Sequence, residues 1–220
     1  MHGFLHMFSN ASRVVLASSV VAIPIMTTYV FIQICALVAG GRWLSVMIGV
    51  VVGAMAIDFL TGIVHWACDR FGDPTTPVLG RSLIASFRDH HVNPTGIIDH
   101  DWIETNGQAS FFALIALFVV AASIPSVNSW VGAIAATTLA TMAALGAWAN
   151  QIHKWAHMTD APRCARALQN IGLALHPDDH AYHHRAPHDR GYCISTGWMN
   201  PVLDRLGLWS WLERSLRRTT

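Results

Sequence analysis

The sequence predicts an all-α integral membrane protein: a four-helix transmembrane bundle with a cytoplasmic histidine-rich metal-binding cap. Three observations favour this fold class. Apolar residues make up 53% of the 220 residues and charged residues only 12%, which is typical of membrane proteins. Four apolar runs divide the chain, and the polar segments between and after them contain most of the 13 histidines. We expect a single membrane domain over residues 1–220.

The four apolar runs cover about residues 14–38, 43–66, 110–124 and 130–149. The first is longer than the apolar core of a secretory signal and lacks a small-residue cleavage site, which favours a retained spanning helix. The third is short, since a bilayer requires about 20 residues. It therefore crosses with a tilt or an extension, or it pairs with the fourth run as a hairpin that does not fully cross.

The positive charges predict the orientation. Of the 14 lysines and arginines, all except Arg42 lie in the N-terminal tail or in the predicted cap, residues 67–108 and 150–220. The positive-inside rule then places this face, with both chain termini, in the cytoplasm. The multi-pass chain would belong to a bacterial inner membrane or the endoplasmic reticulum. A net charge of +1 without a basic cluster gives no indication of nucleic-acid binding.

The segment 176–188 contains five histidines in thirteen residues. On a helix, His180, His183 and His184 have the spacing i, i+3, i+4, so we expect their imidazoles to share one face and converge on one point. Crowded imidazoles repel each other when protonated, whereas a bound cation selects their neutral, ligating form. The pattern therefore predicts a metal site.

Further ligand sets come from distant parts of the chain. His153 and His157 are spaced i, i+4, the spacing with which one helix holds one metal. The other candidates are His65, with Asp69 one turn later and Asp58 two turns earlier, the pair His90 and His91, and His100. One metal takes four to six ligands, so this number of imidazoles favours two metals.

The ligand type alone does not select the metal, because imidazole binds zinc, copper, iron and nickel. A structural zinc would need only four ligands. Two imidazole-rich irons beside helices that could hold a lipid chain instead indicate activation of dioxygen for attack on an unactivated C–H bond.

Four separated motifs resemble the Kua, or lipid desaturase, family, and together they cover roughly Asp58 to Trp209. They are Asp-Phe-Leu-Thr-Gly-Ile-Val-His-Trp at 58–66, Phe-Arg-Asp-His-His-Val-Asn-Pro-Thr at 87–95 with His-Asp-Trp-Ile-Glu-Thr-Asn-Gly at 100–107, Asn-Gln-Ile-His-Lys-Trp-Ala-His at 150–157, and His-Ala-Tyr-His-His-Arg-Ala-Pro-His at 180–188 followed by residues 192–201. One branch of this family is similar to a plastid fatty acid desaturase. His100, His188 and the segment 196–200 are more similar to the plasmanylethanolamine desaturase branch.

The resemblance implies a di-iron, oxygen-dependent membrane oxidoreductase of plasmalogen biosynthesis. Such an enzyme desaturates the O-alkyl chain of an ether phospholipid beside the ether oxygen, which gives the vinyl ether. Its cofactors would be two iron ions, with dioxygen as co-substrate. Two electrons would come from a donor protein of the b-type cytochrome, ferredoxin or flavodoxin type. The open alternatives are another di-iron fatty-acyl desaturase or hydroxylase and a zinc-handling membrane protein.

Placement and resemblance together predict the site residues. The expected metal ligands are His65, His90, His91, His100, His153, His157, His180, His183 and His184. Three further residues are expected either to hold the ligand rings in place or to be metal ligands: His188, Asp69 and Asp58. Three cations beside ligands, Arg88, Lys154 and Arg185, are candidate headgroup contacts. No catalytic residue is predicted beyond the metal centre.

Overall fold

The computed structural model describes residues 10–77 and 79–217, and this part of the chain is helical without a β-strand. The predicted N-terminal tail before Asn10 lies outside the described residues. The long helices are α1 (Asn10–Leu37), α2 (Trp43–Arg70), α4 (Trp102–Ser123) and α5 (Trp130–Gly146). The shorter helices are α3 (Ala85–Val92), α6 (Ala149–His157), α7 (Arg163–Asn170), α8 (Pro177–His183), α9 (Asn200–Arg205) and α10 (Leu208–Arg217).

Two stretches are long and apolar enough to cross a membrane, Ser12–Arg70 and Trp102–Ser126. The first contains both α1 and α2, which meet at a break where Gly41 has a φ of 83°. A third span exists if α5 and α6, bent by 41° relative to each other, count as one. The chain is therefore an all-helical membrane protein, and its four-span topology stays a prediction.

The third apolar run is longer in the structure than in the sequence prediction. Helix α4 has 22 residues and begins at Trp102, because a capping box closes its N-terminus. Asp101 accepts from the backbone N–H groups of Ile103 and Glu104, and Glu104 accepts from the N–H of Asp101. The polar first turns therefore extend the helix before the apolar run, and its length no longer argues against a crossing.

The chain divides into two compact units. One, here called the helical unit, is Phe8–Ile57 with Asp101–Gln151. Its core is built from apolar side chains of α1, α4 and α5, with buried alanines on α5 at 133, 136, 140 and 143. A Cβ added at Gly49 would lie 2.6 Å from Cβ of Thr137, so small residues let α2 approach α5 closely.

The other compact unit, here called the histidine unit, contains Asp58–His100 and Ile152–Thr220. One apolar cluster joins Trp66 to Tyr192 and Trp209, and a second surrounds Leu175 and Ile194. These clusters fix the last turns of α2 and the segment 192–200. Helices α3 and α8 and the part of α6 from Ile152 onward belong to the same unit and carry most of the predicted ligands.

Candidate metal centre

The histidine unit brings eight of the nine predicted ligands into two groups. In each group, one potential ligand atom per residue lies within 4.8 Å of all the others. The first group contains only imidazoles, and the second combines three imidazoles with one carboxylate. The first is His90, His153, His157, His180 and His184, and the second is His65, Asp69, His91 and His183.

In the first group, the rings converge through their Nε2 atoms. The Nε2 of His180 lies 2.8 Å from that of His153, 2.8 Å from that of His157 and 3.0 Å from that of His184. A ring nitrogen offers one N–H or one lone pair, so it cannot make a hydrogen bond to three such neighbours. Nitrogens bound at about 2.1 Å to one metal would lie about 3.0–3.4 Å apart at angles of about 90–110°. The spacing therefore fits a shared cation.

Burial keeps these imidazoles neutral. Desolvation, and after it the neighbouring His157 and His184 rings, lowers the pKa of His90 to about 2. Burial is also the main reason why the pKa of His180 lies well below its usual value and why that of His184 falls to about 3. Neutral imidazole is the form that binds a metal, so the lone pairs are available at pH 7 without loss of a proton.

The second group has two rings whose orientation is fixed by backbone carbonyls. The Nδ1 of His65 lies 3.1 Å from the carbonyl oxygen of Tyr192, and the Nδ1 of His183 lies 2.7 Å from that of Arg190. A carbonyl can only accept, so each Nδ1 carries the proton and each Nε2 presents a lone pair to the group. This is the arrangement in which protein metal sites hold their histidine ligands.

Asp69 provides the only carboxylate in the two groups. Its Oδ2 lies 2.9 Å from Nε2 of His91, 3.6 Å from Nε2 of His65 and 3.8 Å from Nε2 of His183. The Nε2 of His65, the Nε2 of His90 and the Oδ1 of Asp69 are buried without a hydrogen-bond partner. Buried polar atoms without partners are costly. These unpartnered atoms belong to residues of the two groups, which is a second observation that fits bound metal.

The histidines of the C-terminal motif are divided between the two ligand groups, which differs from the sequence prediction. We expected His180, His183 and His184 to converge on one point, and this was wrong. His180 and His184 belong to the first group, whereas His183 belongs to the second. Helix α8 ends at His183, and residues at i and i+4 share a face more closely than residues at i and i+3. The motif therefore contributes to both groups.

The remaining predicted residues lie at different places. Within the described chain, His100 belongs to neither group, and its carbonyl accepts from Lys154 Nζ at 2.6 Å. His188 lies beside the second group, with Nδ1 3.2 Å from Nδ1 of His91, and has a φ of 57°. Asp58 is fully buried, but its oxygens accept from backbone N–H groups at Thr196, Gly197 and Met199.

Each of the three cations predicted to contact the lipid headgroup has different surroundings. Arg88 lines a pocket of 340 Å³ that also reaches the second group. Lys154 donates to the carbonyl of His100, and the guanidinium carbon of Arg185 lies 5.8 Å from the centre of the Tyr182 ring. Arg88 is therefore placed at a cavity beside candidate ligands. The lining residues of this pocket are Asp69, Arg70, Arg88, His91, Pro187 and His188.

Sequence reasoning missed Tyr192 and Arg70. The Tyr192 ring is fully buried, 4.9 Å from the centre of the His183 ring and 5.6 Å from that of His65. Arg70 donates from Nη2 to the carbonyls of Pro187 and His188, and from Nε to the Tyr192 hydroxyl. The only signal for Tyr192 was its place in the last family-like motif, and Arg70 had none beyond following Asp69.

Comparison with known proteins agrees with these motifs. A family model described as a lipid desaturase domain matches residues 54–220. The chain belongs to the lipid desaturase family. It is 36% identical over 184 residues to plasmanylethanolamine desaturase 1 of Mus musculus, and 39% identical over 181 residues to plasmanylethanolamine desaturase of Myxococcus xanthus. The family resemblance predicted from the motifs is confirmed.

These alignments cover 80% and 82% of the present chain, and 66% and 63% of the two relatives. The chain thus spans slightly less than two thirds of the length of these curated relatives. A third relative, chloroplastic fatty acid desaturase 4-like 1 of Arabidopsis thaliana, is 32% identical over 86% of this chain and 64% of its own length. No solved structure matches the chain.

Proposed function

We propose that this lipid desaturase is a plasmanylethanolamine desaturase, which forms the vinyl ether double bond of plasmalogens from the O-alkyl chain of an ether phospholipid. The observation that carries the proposal is the pair of buried ligand groups in one compact unit. The similarity to plasmanylethanolamine desaturases of two organisms supports this substrate class. We further propose the four-span topology, with the histidine unit and both termini on the cytoplasmic side.

Two iron ions would occupy the two groups. The first would be held by His90, His153, His157, His180 and His184, and the second by His65, Asp69, His91 and His183. Five imidazoles in one group exceed the four ligands of a structural zinc site, which favours iron. His100 contributes no ligand atom to either group in the described chain, so we leave it outside the proposed set.

When bound, the irons would use dioxygen and two electrons to remove two hydrogen atoms from the alkyl chain, with reduction of the dioxygen to water. The chain's own residues prepare this site. The carbonyls of Tyr192 and Arg190 hold the tautomers of His65 and His183. Burial of His65, His153, His180 and His183 excludes water from the rings, which protects a reactive centre. The electrons would come from a donor protein.

A fatty-acyl desaturase is the second candidate, and the similarity to the Arabidopsis thaliana protein named fatty acid desaturase 4-like 1 supports it. Both candidates use the same ligand groups, so the position of the new double bond decides between them. In an ether phospholipid the bond forms beside the ether oxygen. In an acyl lipid it forms within the acyl chain, and the product contains no vinyl ether.

The test is expression of the chain in a cell that makes plasmanyl lipids and lacks plasmalogens. Mass spectrometry should detect vinyl ether lipids with the unaltered chain and none with His91→Ala, which removes a ligand from the second group. His176→Asn is the matched control, because His176 lies outside both groups and an asparagine can keep the side-chain cap that His176 provides to the N-terminus of α8. Unchanged ether lipids together with new acyl double bonds would replace this proposal with the second candidate.

A further inference from the structure

The pocket beside the second ligand group carries two guanidinium groups. Arg70 and Arg88 line it together with Asp69 and His91, which are also proposed ligands, and with His188. Its volume of 340 Å³ lies within the range of small-molecule sites, about 300–1,000 Å³. The pocket therefore combines positive charge, a useful size and direct contact with candidate metal ligands.

Both guanidiniums are held in fixed positions by neutral acceptors. Arg88 donates from Nε to the carbonyl of Cys68 at 3.4 Å and from Nη2 to that of Gly72 at 2.6 Å. Arg70 donates from Nη2 to the carbonyls of Pro187 and His188. These contacts leave Nη1 of each arginine as a donor without a described partner. Glu213 lies 3.8 Å from Nε of Arg70 and offsets part of its charge, whereas Arg88 has no carboxylate at contact distance in the described chain.

The proposed reaction requires the phosphate of the headgroup to lie close to the reacting carbon. The carbon that becomes part of the vinyl ether is separated from the phosphorus by six covalent bonds through the ether oxygen and glycerol. Six bonds of about 1.5 Å in a zigzag chain span no more than about 8 Å. An enzyme that oxidises the middle of an acyl chain can bind the headgroup far away. Here the phosphate must lie close to the metal ligands.

The geometry points to a phosphate subsite in this pocket: we infer that Arg70 and Arg88 bind the phosphodiester of the phospholipid substrate and so place the first alkyl carbons at the metal centre. This inference rests on the proposed function. Planar guanidiniums suit phosphate oxygens because they offer parallel N–H donors. Asp69 also lines the pocket, and its Oδ2 lies 2.9 Å from Nε2 of His91. With a metal ion bound in the proposed second group, the cation would offset the charge of this carboxylate. Arg88 is the specificity-determining residue, since its charge has no contacting carboxylate.

The experiment measures equilibrium binding of two lipids to the full chain in detergent: a short-chain 1-O-alkyl phosphoethanolamine lipid and the matching alkyl-acyl-glycerol without phosphate. Arg88→Gln should weaken binding of the phospholipid about tenfold or more, as expected for loss of a charge-assisted hydrogen bond, and leave the glycerolipid unchanged. Arg88→Lys keeps the charge and should recover part of the affinity. Arg163→Gln is the matched control, because Arg163 is an exposed arginine of α7 with no assigned role.

Two results would overturn the inference. In one, Arg88→Gln binds the phospholipid like the unaltered chain; in the other, it weakens binding of both lipids equally, as a structural defect would. An Arg88-dependent affinity for inorganic phosphate without affinity for the phospholipid would also overturn it, because the pocket would then serve free phosphate.

Turnover separates this inference from the proposed function. Arg88-dependent binding of the phospholipid by the purified chain, with no vinyl ether product in cells that supply the electron donor, would support the subsite and contradict the function. Vinyl ether formation with the same KM in Arg88→Gln would support the function and contradict the subsite. Binding is measured on the purified chain, and turnover on membranes of the same cells, which supply the electrons.

Discussion

Asp58→Asn should destabilise the protein by about 2.5–6 kcal/mol. The Oδ1 of Asp58 accepts from the backbone N–H groups of Thr196 and Gly197 at 2.9 and 3.0 Å, and its Oδ2 accepts from that of Met199 at 2.9 Å. An asparagine can keep the first two bonds through its oxygen, but its NH₂ group then faces the N–H of Met199. Loss of one charge-assisted bond costs about 1.5–3 kcal/mol, and a buried unsatisfied donor about 1–3 kcal/mol.

The assay is unfolding in mixed micelles, followed by the loss of helical signal. Asp160→Asn is the matched control, because Asp160 is exposed, and it should unfold like the unaltered chain. The metal content of folded Asp58→Asn should be unchanged, since the described hydrogen-bond partners of the Asp58 carboxylate are backbone N–H groups rather than ring nitrogens. Unaltered stability combined with reduced iron would refute this reasoning and restore a ring-holding role for Asp58.

Three further predictions concern the ligand groups and the helical unit. His183→Ala should reduce bound iron by about one ion per chain, measured by elemental analysis, whereas His176→Asn, which can keep the cap of α8, should leave it unchanged. The metal-free protein should lose stability on acidification from pH 7 to 5.5. The folded pKa values of His90, His180 and His183 lie below the unfolded value near 6.5, so the unfolded chain binds more protons at the lower pH. At about 1.3 kcal/mol per ring, these three rings alone contribute a loss of about 4 kcal/mol, and equal unfolding midpoints at the two pH values would contradict the prediction. Gly49→Ala should cost about 1–3 kcal/mol in an unfolding titration, because its Cβ would overlap the facing threonine of α5, and unchanged stability would argue against this close contact.

The helices and most candidate ligands could be predicted from the sequence, because apolar length and histidine spacing are local signals. The start of α4 could not be located from apolarity, since the capping box places polar residues inside the helix. The division of the ligands into two groups could not be predicted from the sequence either. It depends on which ring nitrogens of α3, α6 and α8 meet, and spacing within one helix does not contain that information.

Asp58 illustrates a second limit of sequence reasoning. An intramembrane carboxylate on the helix that carries His65 predicted a partner, and a ring was the obvious one. The structure instead gives it three backbone amides from a segment about 140 positions later. Arg70 was missed for the same reason, because its partners at Pro187, His188 and Tyr192 are distant in sequence. A carboxylate or a guanidinium in the sequence indicates that the charged group needs a hydrogen-bond partner. The sequence does not identify that partner.

The most direct test of the central claim is metal analysis of the purified full chain together with lipid analysis of the cells that produced it. We predict two iron ions per chain and vinyl ether lipids that are absent without the gene. One zinc ion without iron, or ether lipids that are unchanged by the gene, would contradict the account.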